Sequence, residues 1–117
     1  MDPVASAAFY RRILGFEDVR LRDYLAGEAP FPSVRINPAT VIDLFPRRLW
    51  TGKRARNPNH LCFTVDRVGM QAVKRRLARD GVVITQRNDR NFGARGWGRS
   101  VYFKDPDGTT LEVRFYP

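Results

Sequence analysis

Residues 98–116 have the sequence GRSVYFKDPDGTTLEVRFY, and this stretch decides the fold. SVYF is a run of β-forming residues, DPDG is a strong reverse-turn tetrapeptide, and TLEVRFY alternates apolar and polar side chains. The stretch therefore predicts a β-hairpin. In its second strand the apolar side chains share one face and the polar side chains share the other: Thr110, Glu112 and Arg114.

Glu112 has two interpretations on this pattern. An alternating strand on a half-exposed sheet commonly carries solvated charged residues, and Glu is mostly exposed in proteins. If instead the polar face of the hairpin encloses a cavity, the carboxylate points into that cavity. The rest of the chain decides between the two.

Length and composition predict one cytoplasmic domain. A chain of 117 residues is long enough for one core and too short for two ordinary domains. No segment approaches the ~20 apolar residues of a membrane span, and the N-terminal MDPVASAAF does not resemble a secretory signal. Cys62 is the only cysteine, which excludes an internal disulfide and favours a reducing compartment.

The net charge of +9 makes a polyanion an alternative partner. The Arg and Lys residues are dispersed, however, and no recognition-helix, RNA-binding or zinc-finger motif accompanies them. Nucleic acid is therefore the least favoured partner. The charge is better suited to a positive rim around a cavity, which favours a small anionic molecule.

Residues 1–45 predict one helix and three strands. Asp2-Pro3 is an N-cap followed by proline, and apolar residues at positions 5, 9 and 13 predict an amphipathic helix that ends at Gly15. Alternation then predicts strands at residues 16–25, 33–37 and 40–45. Residues 46–59, PRRLWTGKRARNPN, are basic and aperiodic, which indicates a solvated linker rather than a phosphate-binding patch.

Residues 60–117 predict a strand, a helix and three further strands. The first strand is residues 60–66, and Asp66 caps a helix that ends at Gly81. Residues 82–86 predict a short strand, residues 87–97 predict a basic loop that contains Trp97, and the hairpin follows. The two halves thus repeat one order of elements, αβββ and βαβββ, with FYRRILGFE matching VKRRLARDGV.

The first half lacks the opening strand of this repeat. A start further upstream, a neighbouring subunit or a degenerate module would each account for the missing strand. An open sheet edge also favours pairing with another chain, so we expect a homodimer.

The phrases ASAAFYRRILGFE, NHLCFTVD and GARGWGRSVYFKDPDGTTLEV, with this order of elements, resemble the vicinal oxygen chelate superfamily. That superfamily includes glyoxalase I, extradiol ring-cleaving dioxygenases, fosfomycin-resistance thiol transferases and bleomycin-binding proteins. The resemblance covers essentially the whole chain and is specific for the superfamily, not for one reaction. It implies an α+β fold of two βαβββ modules that form an open barrel-like sheet around a cavity, the first module lacking its opening strand.

Carried over by position, the resemblance implies three ligands for a divalent metal ion. His60 opens the second module, Glu112 lies in its closing strand, and Asp43 lies in the closing strand of the first module. Each falls on the face opposite its strand's aliphatic residues. One imidazole and two carboxylates suit Fe²⁺, Mn²⁺, Ni²⁺, Co²⁺ or Zn²⁺. Each residue also has a plain structural alternative, and Asp43, one methylene shorter than Glu, is as readily a surface residue.

The resemblance also implies residues that contact the substrate. In fosfomycin-resistance relatives the matching Ser and Tyr do so, which points to Ser100 and Tyr102, although Tyr102 is equally compatible with the core. Arg99 is expected as a cation at the rim of the cavity. Trp97 is expected as a lid residue or as a loop anchor.

Three functions follow. In the first, the metal ion acts as a Lewis acid on a small oxygenated substrate in lyase- or dioxygenase-like chemistry, with Asp43 as the base if it leaves the metal. In the second, the cavity sequesters an antibiotic or metabolite without metal. In the third, the basic surface binds nucleic acid. Metal content separates the first two, and salt-dependent DNA binding identifies the third.

Overall fold

The computed structural model describes residues 2–49 and 60–117. Within these ranges three α-helices, a short 3-10 helix and seven strands form a mixed α+β structure with two sheets. The chain divides into two compact units, Met1–Ala55 and Arg56–Pro117. None of the helices in the described ranges is long and apolar enough to cross a membrane.

The first unit begins with helix α1, Pro3–Leu14. The Asp2 side chain accepts hydrogen bonds from the backbone N–H groups of Val4 and Ala5 at 2.9 and 3.3 Å. Gly15 ends the helix in a left-handed conformation with φ 72°. Both helix ends are therefore set by residues that the sequence pattern identifies, and the predicted helix is confirmed.

The prediction of a single strand over residues 16–25 is wrong for most of that segment. Strand β1 covers only Glu17–Val19, and helix α2 covers Leu21–Leu25. Arg20 stands between them with φ 60°, a left-handed conformation that breaks the extended backbone. The residues at positions 21, 24 and 25 also have helical spacing, so the alternation of this charged segment was ambiguous.

The first sheet has the antiparallel order β1-β2-β3, in which β2 is Ser33–Asn37 and β3 is Thr40–Asp43. Strand β2 has its predicted bounds. Strand β3 ends two residues earlier than predicted, although the Leu44 N–H still donates to the Pro32 carbonyl at 2.9 Å. Of the predicted linker, Arg47–Leu49 form a 3-10 turn, and residues 50–59 lie outside the described ranges.

The second unit has the predicted order of elements, β-α-β-β-β. Strand β4 is Leu61–Thr64 and helix α3 is Arg67–Arg79. Asp66 caps α3 by accepting a 2.7 Å hydrogen bond from the Gly69 N–H. The remaining strands are β5, Gln86–Gly93, β6, Gly96–Lys104, and β7, Thr110–Phe115. They form a sheet of order β4-β7-β6-β5 in which β4 and β7 are parallel.

Strand β5 corrects two predictions. Residues 82–85 were predicted to belong to a strand, but they form no strand in the structure. Strand β5 instead runs through most of the segment that was predicted as a basic loop. Trp97 consequently lies in β6 and not in a loop. The sequence QRNDRNFG has a low intrinsic β-propensity, and its conformation depends on pairing with β6 from Gln86↔Tyr102 to Gly93↔Gly96.

The predicted hairpin of β6 and β7 is confirmed. Asp105 accepts hydrogen bonds from the N–H groups of Asp107 and Thr109, and Gly108 has φ 83°. Strand β7 is buried on both faces, however, and Glu112 is 0% exposed. The interpretation of Glu112 as a solvated residue on a half-exposed sheet is therefore wrong.

Candidate functional site

The carboxylate of Glu112 is the centre of the candidate site. Register places Glu112 between Cys62 of β4 and Tyr102 of β6. Its Oε1 atom accepts hydrogen bonds from Ser100 Oγ at 2.5 Å and from Asn91 Nδ2 at 3.1 Å. Arg114 donates two more to the same oxygen, from Nε at 3.0 Å and from Nη2 at 2.8 Å. Oε1 is thus fully occupied by donors.

The second oxygen of Glu112 is in a different situation. Oε2 is buried and lies 2.9 Å from His60 Nε2. The contact is short, but it is not directed as a hydrogen bond, and Oε2 accepts none from any residue that the structure describes. A buried carboxylate oxygen in this state is rare and calls for a specific explanation.

The hydrogen bonds also fix the ionisation of Glu112. Burial on its own would raise the pKa of this carboxyl group, but hydrogen bonds from Ser100, Arg114 and Asn91 outweigh burial and lower the pKa from 4.5 to about 2. The carboxylate is therefore negatively charged at neutral pH, which is the state in which it can bind a cation.

A cavity of about 410 Å³ lies beside His60. Apart from His60, its lining consists of hydroxyl-bearing and amide-bearing side chains: Thr85, Gln86, Tyr102 and Thr110. The Tyr102 ring lies edge-to-face with the His60 ring at 5.6 Å. Burial, followed by the negative charge of Glu112, raises the pKa of Tyr102. The phenol consequently stays protonated at neutral pH and can donate a hydrogen bond to a molecule in the cavity.

Four of the residues predicted from the sequence therefore lie together in the second unit: His60, Glu112, Ser100 and Tyr102. Asp43 belongs to the first unit, where it is exposed and its Oδ1 accepts a 2.7 Å hydrogen bond from Ser33 Oγ.

The strand alternation of β6 does not bring Arg99 and Trp97 to Glu112, because it places them on the face opposite Ser100. Arg99 is exposed. Trp97 is 53% exposed, contacts Phe92 edge-to-face at 5.5 Å and lies under the Arg90 guanidinium at 4.3 Å.

Cys62 is adjacent to Glu112 across the β4–β7 pair. Desolvation and then the negative charge of Glu112 raise the pKa of its thiol to about 11. The thiol is consequently protonated at neutral pH.

Sequence reasoning missed Arg114 and Asn91. Arg114 is only 6% exposed, although its place two residues after Glu112 on one face of a strand was a usable signal. Asn91 lies in the segment that was predicted as a loop, so nothing in the local pattern associated it with Glu112.

The donor set fits part of a metal centre. No group of three or more His, Cys, Asp and Glu residues that could hold an ion occurs within residues 2–49 and 60–117. His60 Nε2 and Glu112 Oε2, however, lie as close together as two neighbouring ligands of one ion, since bonds of about 2.1 Å at a right angle separate ligand atoms by about 3 Å. A cation would also satisfy the buried Oε2, and hydrogen bonds that hold the ligating carboxylate are typical of metal sites.

Comparison with known proteins gives one family. The family model described as the Glyoxalase/Bleomycin resistance protein/Dioxygenase superfamily matches residues 1–113. The search of curated proteins gives no match.

Solved structures share the fold over nearly the whole chain. An integron cassette protein from the mobile metagenome of V. cholerae is 28% identical, with 99% of this chain and 88% of that chain covered and a TM-score of 0.76. Oxidase ChaP-H2 is 27% identical, with 99% and 86% covered and a TM-score of 0.72. A glyoxalase/dioxygenase from Nostoc punctiforme is 26% identical, with 99% and 84% covered and a TM-score of 0.72.

Proposed function

Because the chain belongs to the Glyoxalase/Bleomycin resistance protein/Dioxygenase superfamily, we propose that its second unit holds a divalent metal ion between His60 and Glu112. The observation that carries the proposal is the buried Glu112 Oε2, which accepts no hydrogen bond from the described residues and lies 2.9 Å from His60 Nε2. Imidazole nitrogen and carboxylate oxygen suit Fe²⁺, Mn²⁺, Ni²⁺, Co²⁺ or Zn²⁺.

The proposed activity is lyase- or dioxygenase-like chemistry on a small oxygenated substrate. When bound, the ion supplies Lewis acidity to substrate oxygens. His60 and Glu112 hold the ion, and Ser100 and Asn91 keep the carboxylate in place. Tyr102 donates a hydrogen bond from its protonated phenol and so orients the substrate in the cavity.

Asp43 enters the proposal as a ligand or base from the first unit, on the strength of the family resemblance alone. This role requires the predicted open barrel of two modules, which is part of the proposal. A homodimer is also part of the proposal.

The hydroxyl and amide groups of the cavity suit a substrate rich in oxygen atoms. The net charge of +9 favours an anionic one.

One observation favours a second candidate, a metal-free protein that binds a small molecule. Arg114 Nη2 lies 2.8 Å from Glu112 Oε1 and already balances the charge of the carboxylate without an ion. In that case the cavity beside His60 would bind its ligand through Tyr102 and the other polar side chains alone.

Metal content distinguishes the two candidates. We expect purified protein loaded separately with each of the five ions to retain about one ion per chain for at least one of them. His60→Ala and Glu112→Gln should lower retention about 10-fold or more because each removes a ligand, while Glu17→Gln, at an exposed carboxylate of β1, should not. Equal retention by all four proteins would contradict the metal site, and a wild-type protein that retains no ion would favour the metal-free candidate.

A further inference from the structure

A buried guanidinium lies directly behind the proposed metal ligand. Arg114 is 6% exposed, and its side chain extends along the same face of β7 as Glu112. Its contacts with the carboxylate are two hydrogen bonds of 3.0 and 2.8 Å, both short enough to hold the guanidinium and the carboxylate in one relative orientation.

Two glycines make the space that Arg114 occupies. A Cβ atom added at Gly93 would lie 1.4 Å from Arg114 Nη1 and 2.8 Å from the Tyr116 hydroxyl. A Cβ atom added at Gly98 would lie 3.2 Å from Arg114 Cγ. A side chain at Gly93 would therefore displace the guanidinium, whereas one at Gly98 would crowd the Phe115 backbone oxygen, at 2.9 Å, and the Arg114 stem.

The geometry of the pair is not that of an ordinary bidentate ion pair. In such a pair the two N–H groups bind the two oxygens of the carboxylate, one to each. Here both Nε and Nη2 donate to Oε1, and Oε2 receives neither. The arrangement keeps both hydrogen bonds of the pair on Oε1 and leaves Oε2, the oxygen beside His60, without a donor from Arg114.

We infer that Arg114 is a positioning residue: it holds Oε1 of Glu112 so that Oε2 is the oxygen presented, beside His60, to a divalent cation. This inference rests on the proposed function and adds the residue that selects the ligating oxygen. Arg114 acts only through Glu112.

Two effects of Arg114 on a cation oppose each other. Its positive charge weakens cation binding, whereas its planar fork of donors orients the ligand. Arg114→Lys separates them, because lysine keeps the charge but has no fork. If orientation dominates, the lysine variant binds Mn²⁺ about 10- to 100-fold more weakly than the wild-type protein, as is typical when a residue that supports a metal ligand is changed.

The test measures Mn²⁺ affinity by electron paramagnetic resonance and, separately, thermal unfolding without metal. Arg75→Lys, at an exposed arginine of α3, is the matched control and should bind Mn²⁺ as the wild-type protein does. A purely structural role of Arg114 would lower the unfolding temperature and leave the Mn²⁺ affinity of the folded protein unchanged. That result would overturn the inference.

Gly93→Ala provides a second variant in case Arg114→Lys fails to fold. It keeps Arg114 in the chain but fills its slot, so a similar loss of Mn²⁺ affinity is expected. Wild-type affinity in folded Gly93→Ala and Arg114→Lys, together with weakened binding by His60→Ala, would overturn the inference and leave the proposed function standing. Wild-type affinity in His60→Ala as well would overturn both.

Discussion

Replacing Arg114 with methionine is expected to lower the free energy of unfolding by about 3–5 kcal/mol, the typical cost of removing one partner of a buried ion pair. The substitution keeps much of the apolar volume and removes the guanidinium. Among residues 2–49 and 60–117, it leaves the Glu112 carboxylate, which is 0% exposed, with Ser100 and Asn91 as its hydrogen-bond donors. Urea denaturation followed by circular dichroism at neutral pH measures the loss.

A double-mutant cycle attributes this loss to the pair. Since the double variant Arg114→Met, Glu112→Gln contains neither buried charge, it should lose clearly less stability than the sum of the two single variants. Arg11→Met is the control, because Arg11 forms an exposed ion pair with Asp18 at 3.4 Å. It should cost at most about 1 kcal/mol. Additive losses at Arg114 and Glu112 would show that the buried pair is not coupled.

The stability of the protein should also fall in acid because of Glu112. Its carboxyl group has a pKa of about 2 in the folded protein, against the ordinary value of 4.5. The stabilisation is complete above pH 4.5, where the carboxyl group is ionised in both states, and is lost as the pH falls towards 2, because the unfolded chain takes up the proton first. The loss attributable to Glu112 is about 3 kcal/mol.

Urea denaturation of wild-type protein and Glu112→Gln between about pH 6 and about pH 2 measures this contribution. The difference in unfolding free energy between the two proteins should be constant above pH 4.5 and shift by about 3 kcal/mol in favour of Glu112→Gln at the acidic end. Glu17→Gln controls for the loss of one carboxylate at an exposed position. Parallel pH profiles for wild-type protein and Glu112→Gln would contradict the prediction.

The sequence predicted those parts of the fold that local chemistry determines. The Asp2 and Asp66 caps and the turn at Asp105 satisfy backbone groups two to four residues away, so their effect is visible in short stretches. Strand β5 is different, because its polar residues are held extended by pairing with β6. Helix α2 was missed because a left-handed Arg20 is not visible in an alternating pattern.

The residues of the candidate site likewise fall into those that the local sequence predicts and those that depend on packing elsewhere in the chain. Strand alternation placed Ser100 and Tyr102 on one face of the first hairpin strand and Glu112 on the polar face of the second. The family resemblance added His60. Burial of β7 on both faces could not be predicted, because an alternating strand is equally compatible with a solvated face. The sequence therefore places Arg114 on the polar face of its strand without assigning it a contact, and the contacts that select one oxygen of Glu112 were found only in the structure.

The central claim is that His60 Nε2 and Glu112 Oε2 bind one divalent cation. Anomalous diffraction from crystals grown with Mn²⁺ or Co²⁺ tests it most directly. We predict one peak within about 2.0–2.3 Å of both atoms, with Arg114 still bound to Oε1. A peak bound to neither residue, or no peak together with a direct hydrogen bond between His60 and Glu112, would contradict the account.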